Sequence, residues 1–576
     1  MLNKFYTQKW EIILTCLLIL SIFVFKIGSI FCFYILPDEF TYWSYAARFA
    51  GKDWSEITAL GPYFSFGYSF LLFPIFALFK DAVMAYRVAI CLNFFLLIFS
   101  YWLLTKLGGR LIPDSCNSLL FATIVILFPS YIFYSQTTLT EIAILFFYLL
   151  SCYLLYQYYL NNRVVTLILL MLSLMYLYVV HMRTIGILIS FIFVLIIHLI
   201  RDRKKKTSHL FICLGMTLIL FVAGNIMKEW AYVEVYGGIN PELVSTNDYL
   251  GQIDKLRYIV TPTGLYDLII SLGGKVLYLG MASYGTFYFG VYGLLKKIKN
   301  EKSYFALFIL LTIVIQICIS TVYLLTLGEI ADYTYGRYNE FILPVVMFLG
   351  INELYQFIKQ KKWRIFVFTI SFILIYHAVT TLLVVRQTIM THAEGYQGYF
   401  ICGISYLYSE ENFTVESFYF KAYIFSIVLM MLCIIILFLS AFSTVNAISK
   451  GAIWGFALVE ILLSFRLNAI FTNPYRVSIF RDISISEIVS EIASDDRQVY
   501  YFDSEVPASI GIIQFSQRDL KVNVIRSSNS SFSTFEDVID SDDILLFDFQ
   551  DSRYELWMDM YQNFDKYGHM AILYNN

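Results

Sequence analysis

The chain has 576 residues, 59% hydrophobic and only 15% charged, with a mean hydropathy of +0.68, values that exclude an ordinary water-soluble globule. A net charge of −2 gives no reason to expect a nucleic-acid partner. Nine cysteines (Cys16, Cys32, Cys91, Cys116, Cys152, Cys213, Cys318, Cys402 and Cys433) lack metal-ligand spacing and stop before the polar tail, so neither a disulfide framework nor a cysteine metal site is expected.

The amino-terminal MLNKFYTQKW runs into an apolar stretch that exceeds a signal-peptide core and has no A-x-A-like cleavage site, so the first helix is expected to be retained. Apolar runs of spanning length lie at 11–36, 86–107, 117–134, 138–160, 164–180, 184–200, 209–227, 268–295, 303–327, 341–358, 365–385, 418–441 and 452–468. They predict about 13 transmembrane helices. Residues 64–79 are also apolar, but counting them as a span would invert every later loop, so they read as a juxtamembrane or re-entrant helix.

Three basic clusters, RDRKKK at 201–206, KKIKNEK at 296–302 and KQKKWR at 359–364, follow alternate helix boundaries and can all face the cytoplasm together. That orientation places the amino terminus inside. It puts 38–85, 228–267, 328–340, 386–417 and everything beyond 472 on the extracytoplasmic side, in a protein expected in the plasma membrane.

After Asn473-Pro474 the apolar runs shorten and charges return. Runs at 499–502, 521–525, 542–549 and 571–574 read as buried strands, separated by the helical patterns SISEIVSEIASDD, VPASIGIIQFSQ and SRYELWMDMYQNF. The expected fold is therefore an α-helical polytopic membrane domain over 1–472, with an exterior loop at 38–85 carrying juxtamembrane helices, followed by a small α/β extracytoplasmic domain over 473–576. No Gly-rich phosphate loop and no H-E-x-x-H motif occurs, which sets aside ATP-driven and zinc-protease classes.

The segment Leu36-Pro37-Asp38-Glu39-Phe40-Thr41-Tyr42-Trp43, directly after the first span, carries two adjacent acids. Acids after a proline are ordinary helix starts, favoured by the helix dipole. Other polar residues recur at helix ends: Tyr86-Arg87, Thr140-Glu141, His181-Met182-Arg183 and Tyr335-Gly336-Arg337-Tyr338 with Pro344. In this order, together with Gly61-Pro62-Tyr63, these segments resemble the GT-C superfamily of membrane glycosyltransferases, which includes protein O-mannosyltransferases and the lipid A aminoarabinose transferase.

The resemblance implies a transferase that moves a sugar from a polyprenyl-phosphate donor to a hydroxyl on a glycan, lipid or protein acceptor, inverting the anomeric centre. Such a reaction needs a base at the acceptor and cations at the departing phosphate. A phosphate leaves without being protonated, so one carboxylate can suffice, unlike ordinary glycoside hydrolysis. Asp38 is the expected base. Glu39 is the alternative, or a second ligand with Asp38 should a divalent cation, the one cofactor left open, be used. Arg337 and Arg183 are the expected phosphate clamps, although an arginine at a helix end also snorkels to headgroups. Lys26 inside the first span and Glu141 at the fourth are costly against lipid, so Lys26 pairs with an acid or lies under the donor phosphate, and Glu141 orients the acceptor. Tyr42, Tyr333, Tyr335 and Tyr338 would line the sugar site or join the headgroup belt. The competing classes are a flippase or transporter of a lipid-linked saccharide, which should place its polar groups near the bilayer midplane, and a glycan polymerase or ligase.

Overall fold

The structure, a computed structural model, describes residues 2–35, 37–112, 117–201, 208–239, 253–325, 330–391, 398–409, 411, 413–443, 445–493, 497–503, 510–526, 539–548, 555, 557–567 and 570–575. The expected loop positions 202–206, 240–252, 328–329 and 392–397 lie outside the described residues.

The first span, α1 (Leu2–Ile27), leads to Pro37, where α2 (Asp38–Phe49) begins with Asp38 and Glu39 in its first turn. The apolar run at 64–79 contains α3 (Ser69–Leu78), 10 residues long. At about 1.5 Å per residue it reaches only about 15 Å, too short to cross a bilayer. Next comes α4 (Ala82–Leu111), capped by Asp81, whose carboxylate accepts from the Met84 N–H at 2.6 Å.

The run at 117–134 is two helices where one was expected, α5 (Ser118–Ile126) and α6 (Pro129–Tyr134). Pro129 has no N–H to continue the ladder and holds Phe128 extended at φ −48, ψ 131, so the helix breaks there. The chain continues through α7 (Glu141–Asn161), α8 (Val164–Val180), α9 (Ile185–Arg201) and α10 (Ser208–Glu234). The run at 268–295 also divides, into α11 (Pro262–Ala282) and α12 (Thr286–Glu301), because Tyr284 and Gly285 take φ 58 and 77, values no right-handed helix accepts. The bundle is completed by α13 (Tyr304–Leu324), α14 (Leu343–Lys359), α15 (Trp363–Met390), α16 (Val415–Phe442) and α17 (Asn446–Phe471).

Among the described residues, 11 helices are long and apolar enough to cross a membrane. With the broken α5–α6 pair and the 17-residue α8 added, every apolar run read from the sequence contains helix, although in the first, expected over 11–36, the helix ends at Ile27 and 28–35 are irregular. The chain is an integral multi-pass membrane protein. Its centre is α14, which approaches α12 backbone to backbone, since a Cβ on Gly290 would overlap the Val346 carbonyl and one on Gly350 the Thr286 carbonyl. Its periphery includes α10, which exposes Phe211, Leu218 and Ile226 to lipid.

Beyond the last span come α18 (Arg476–Ile492), β1 (Val499–Phe502), α19 (Ile510–Ser516), β2 (Val522–Ile525), β3 (Ile544–Asp548), β4 (Asn563–Tyr567) and β5 (Met570–Tyr574). The sheet order is β2-β1-β3-β5-β4, with β1 parallel to β2 and β3 and the remaining pairs antiparallel, a mixed sheet. One element differs from expectation: residues 563–567, partly read as the end of a helix, form β4 at the sheet edge. There Phe564 pairs with Leu573, while the charged Asp565 and Lys566 suit an edge strand. The domain sits on α2, with the Phe515 ring 4.8 Å from both Trp43 and Phe33, and the Trp54 Nε1–H donating to the Arg518 carbonyl at 3.0 Å.

Candidate active site

At the end of the bundle that carries this domain, four charged side chains from four parts of the chain meet inside the protein. Arg337 donates from Nη1 to Asp38 Oδ2 at 2.7 Å and from Nε to Glu141 Oε1 at 2.6 Å. Arg183 donates from Nη2 to the same Glu141 oxygen at 2.9 Å. The result is a chain Asp38–Arg337–Glu141–Arg183 of two acids and two bases, all buried. Each residue is delivered by a local cause: Asp38 by the helix start after Pro37, Glu141 by the first turn of α7, Arg183 by the turn at Met182–Thr184, and Arg337 by the irregular segment before α14.

Removing four charges from water is costly, and the mutual pairing offsets that cost without making it a source of stability. A buried charge cluster of this kind marks a candidate functional site. Burial pushes the Asp38 carboxyl above its ordinary range, and Arg337 pulls it back only in part. Arg337 is almost fully enclosed, at 3%, while the Asp38 side chain keeps 12% of its surface open. Asp38 is therefore the acid of the cluster's mouth.

Glu39 has a different setting from its neighbour. Its Oε1 accepts from the Tyr34 and Ile35 N–H groups at 2.9 Å each, and its Oε2 from Tyr86 Oη at 2.5 Å and from the Thr138 N–H and hydroxyl at 2.6 and 2.7 Å. Five donors hold a fully buried carboxyl, whose pKa burial raises in spite of them. It ties α2, α4 and the α6–α7 loop together. Because both its oxygens face donors, they are not arranged beside Asp38 as a shared cation pair. Among the described residues, no three His, Cys, Asp or Glu side chains converge as metal ligands.

Tyr338 is placed beneath Arg183, whose guanidinium lies 4.4 Å from the ring centroid, and Tyr335 packs edge-on against Tyr338 at 4.8 Å. Tyr42, one turn along α2 from Asp38, is fully buried and T-shaped to Tyr68 at 5.8 Å. Tyr333 lies on the far side of the same loop as Tyr335, with its carbonyl against Gly274. Lys26 is not brought to the cluster. It lies over the Phe465 ring at 5.8 Å and shares a small crevice with Tyr34, Gln136 and Arg476.

Beside the cluster is a cavity of roughly 330 Å³ between α9, α13 and the loop before α3. Its walls are mostly apolar and aromatic, with Phe64, Ile319, Tyr323 and Tyr338 among them, and Arg183 and His181 supply the polar end. Burial, then Arg183 and Arg337, push the His181 ring well below its usual pKa. Its Nδ1 accepts from the Arg183 N–H at 3.3 Å. Among the described residues, Arg183 Nε has no hydrogen-bond acceptor.

One contributor, Glu340, was not read from the sequence, and Arg87, read there only as part of a helix-end pattern, takes a definite place. Glu340 Oε1 accepts from Ser130 Oγ at 2.6 Å, from the Gly403 N–H at 2.9 Å and from Tyr278 Oη, locking the segment that holds Arg337 to α6, α11 and the 398–405 segment. An acid at the start of a central span, three residues after Arg337, was the available signal. Arg87 donates to the Ile30 and Gly28 carbonyls at 2.8 and 3.1 Å, fixing the end of α1.

No protein-family model matches the sequence, and no curated protein matches it. Solved structures do. The chain superposes on ArnT from Cupriavidus metallidurans bound to undecaprenyl phosphate with a TM-score of 0.54 over 97% of each chain, at 10% identity. The same protein in the apo state gives a TM-score of 0.55 over 99% of this chain and 98% of that one, also at 10% identity. The fold is GT-C-like. The agreement spans the bundle and the carboxyl-terminal domain together, so the GT-C-like architecture accounts for the whole chain.

Proposed function

We propose that the protein is a membrane glycosyltransferase that moves a sugar from a polyprenyl-phosphate-linked donor to an acceptor hydroxyl, on the extracytoplasmic face. The observation that carries this reading is the Asp38–Arg337–Glu141–Arg183 cluster beside an apolar cavity. A lipid-linked sugar phosphate needs that combination: an apolar wall for its tail, guanidinium groups for its phosphate and a carboxylate at the reacting carbon.

The donor tail enters the cavity between α9 and α13, and its phosphate meets Arg183, the cluster member that lines the cavity. The sugar then lies toward Asp38. Asp38 takes the proton of the acceptor hydroxyl as that oxygen bonds to the anomeric carbon from the face opposite the phosphate. The bond from the anomeric carbon to the phosphate oxygen breaks with its electron pair, the configuration inverts, and polyprenyl phosphate leaves with one more negative charge. Arg337 and Arg183 stabilise that growing charge, and Glu141 holds both guanidinium groups in place. Glu39 positions the helix start that presents Asp38. Its saturated carboxylate is not the base, and the same geometry gives no support to a divalent cation shared with Asp38. Lys26 lies outside this scheme.

The basic segments 296–302 and 359–364 lie at the opposite end of the bundle from the cluster, at the ends of α12 and α14, and their Lys/Arg excess supports a cytoplasmic assignment for that end and an extracytoplasmic one for the cluster. Nucleotide sugars are cytosolic, which fits a lipid-carried donor. The test is mass spectrometry of surface glycans in the native host with the gene deleted and restored: loss and return of one sugar supports the transferase, and an unchanged profile refutes it.

A further inference from the structure

A second, larger cavity of about 970 Å³ separates the carboxyl-terminal domain from α2 and α3, away from the cavity beside Arg183. Among the described residues, its charged lining is Lys52, Lys80, Arg497, Arg518 and Lys521 against a single acid, Asp519. Lys52 is paired with Asp519. The other cations have no carboxylate among the ion pairs of the described residues, and the remaining polar lining, such as Gln517, Asn523 and Ser516, offers hydrogen-bond donors.

Arg518 donates from Nη1 to the Phe76 carbonyl at 2.6 Å and stacks 3.9 Å from that ring, but among the described residues its Nε and Nη2 have no acceptor, and the Ser516 hydroxyl has no partner. These atoms are enclosed in the wall of the cleft, and the excess of cations over acids along its lining is what fits an anion. Burial, offset in part by Asp81 and Asp519, lowers the Arg518 pKa to about 10, consistent with a cation short of counter-charge.

The floor of the cleft is α3, which contributes Phe73, Phe76 and Ala77 to it and exposes Phe70 and Leu78 beside it. A helix too short to span, with large apolar side chains exposed and a lysine at its end, lies in the membrane interface. The ligand within reach is therefore a lipid. We propose that this cleft binds the phosphate head group of an anionic membrane lipid, bridging the carboxyl-terminal domain and α3. The site is independent of the transferase reading.

Native mass spectrometry of the full chain in neutral detergent, titrated with dioleoyl phosphatidylglycerol or phosphatidylcholine, tests this. The wild type is expected to retain one phosphatidylglycerol in preference to phosphatidylcholine. Lys80→Gln/Lys521→Gln, two exposed positions, is expected to weaken that adduct about tenfold, given the usual attraction per basic residue at an anionic surface. The control Lys299→Gln/Lys362→Gln, at the opposite end, should leave it unchanged, with all variants unfolding at the wild-type temperature. Equal retention of both lipids, equal binding by the two double variants, or displacement of the adduct by millimolar glycerol 3-phosphate would overturn the proposal, the last by showing a soluble phosphate ligand.

Discussion

Arg337 holds Asp38 at 2.7 Å across 299 residues of sequence, and the same guanidinium reaches Glu141 at 2.6 Å through Nε. One side chain thus joins the helix start after the first span to the first turn of α7. The arrangement sets the charge state of the acid proposed as base, so perturbing Arg337 must change both binding and proton transfer.

Burial raises the Asp38 carboxyl and Arg337 lowers it. Because the base must be ionised, activity is expected to fall on the acid side at a pH above the ordinary carboxylate range. Arg337→Gln removes the lowering partner and should move that limb to higher pH while cutting kcat on the order of 100-fold or more, the usual scale for a lost charge-stabilising donor. Arg337→Lys should keep part of the shift and lose the fork that bridges Asp38 and Glu141. A pH profile of transfer for the three proteins checks this. The stability sign is the reverse of a salt-bridged acid with a depressed pKa: between its unfolded and its raised folded value, Asp38 binds more protons in the folded state, so its contribution to stability is present at low pH and is lost as pH rises through the folded pKa.

Glu39→Gln should act on folding instead. It places an amide NH₂ against N–H and O–H donors, leaving buried groups unpaired at a cost of about 1–3 kcal/mol or more. The expected outcome is a lower unfolding temperature and less protein in the membrane, with the turnover of the surviving fraction within a few-fold of wild type. Thermal unfolding and turnover measured on the same preparation separate the two effects.

Much of this architecture can be read in the chain itself, and the failures have definite causes. The spans follow from apolar length, and α8 coincides with its run at 164–180. The breaks at Phe128–Pro129 and Tyr284–Gly285 were hidden because unbroken hydrophobicity outweighed single-residue punctuation. The four clustered charges were each legible as polar residues at helix ends, but nothing local distinguishes Asp38 from Glu39. Their separation comes from Tyr86 and Thr138, contributed by other helices. Lys26 was left open for the complementary reason: a cation inside a span has several destinations, and its position depends on α17, whose Phe465 it covers.

Gly336 tests how tightly Arg337 is positioned. A Cβ there would overlap the Tyr278 ring and the Ile401 carbonyl, so Gly336→Ala must displace the segment carrying Arg337. The expected result is at least a tenfold fall in kcat, since about 1.4 kcal/mol of lost transition-state contact suffices for that, with a smaller change in donor KM. Single-turnover and steady-state kinetics distinguish this from a binding defect.

The cavity beside Arg183 makes a separate prediction. Val322→Trp should fill part of the roughly 330 Å³ between α9 and α13. Donor KM is expected to rise about tenfold or more for a long polyprenyl chain, with a smaller change for a short-chain donor that leaves the cavity partly empty. Equal effects on both donors would place the tail elsewhere.

The most direct measurement restores the deleted gene in its native host as wild type, Asp38→Asn or Glu39→Gln, at matched membrane levels, and follows the surface-glycan sugar by mass spectrometry. The account predicts that wild type and Glu39→Gln return the sugar and Asp38→Asn does not. Full restoration by Asp38→Asn, with Glu39→Gln inactive at the same protein level, would contradict it.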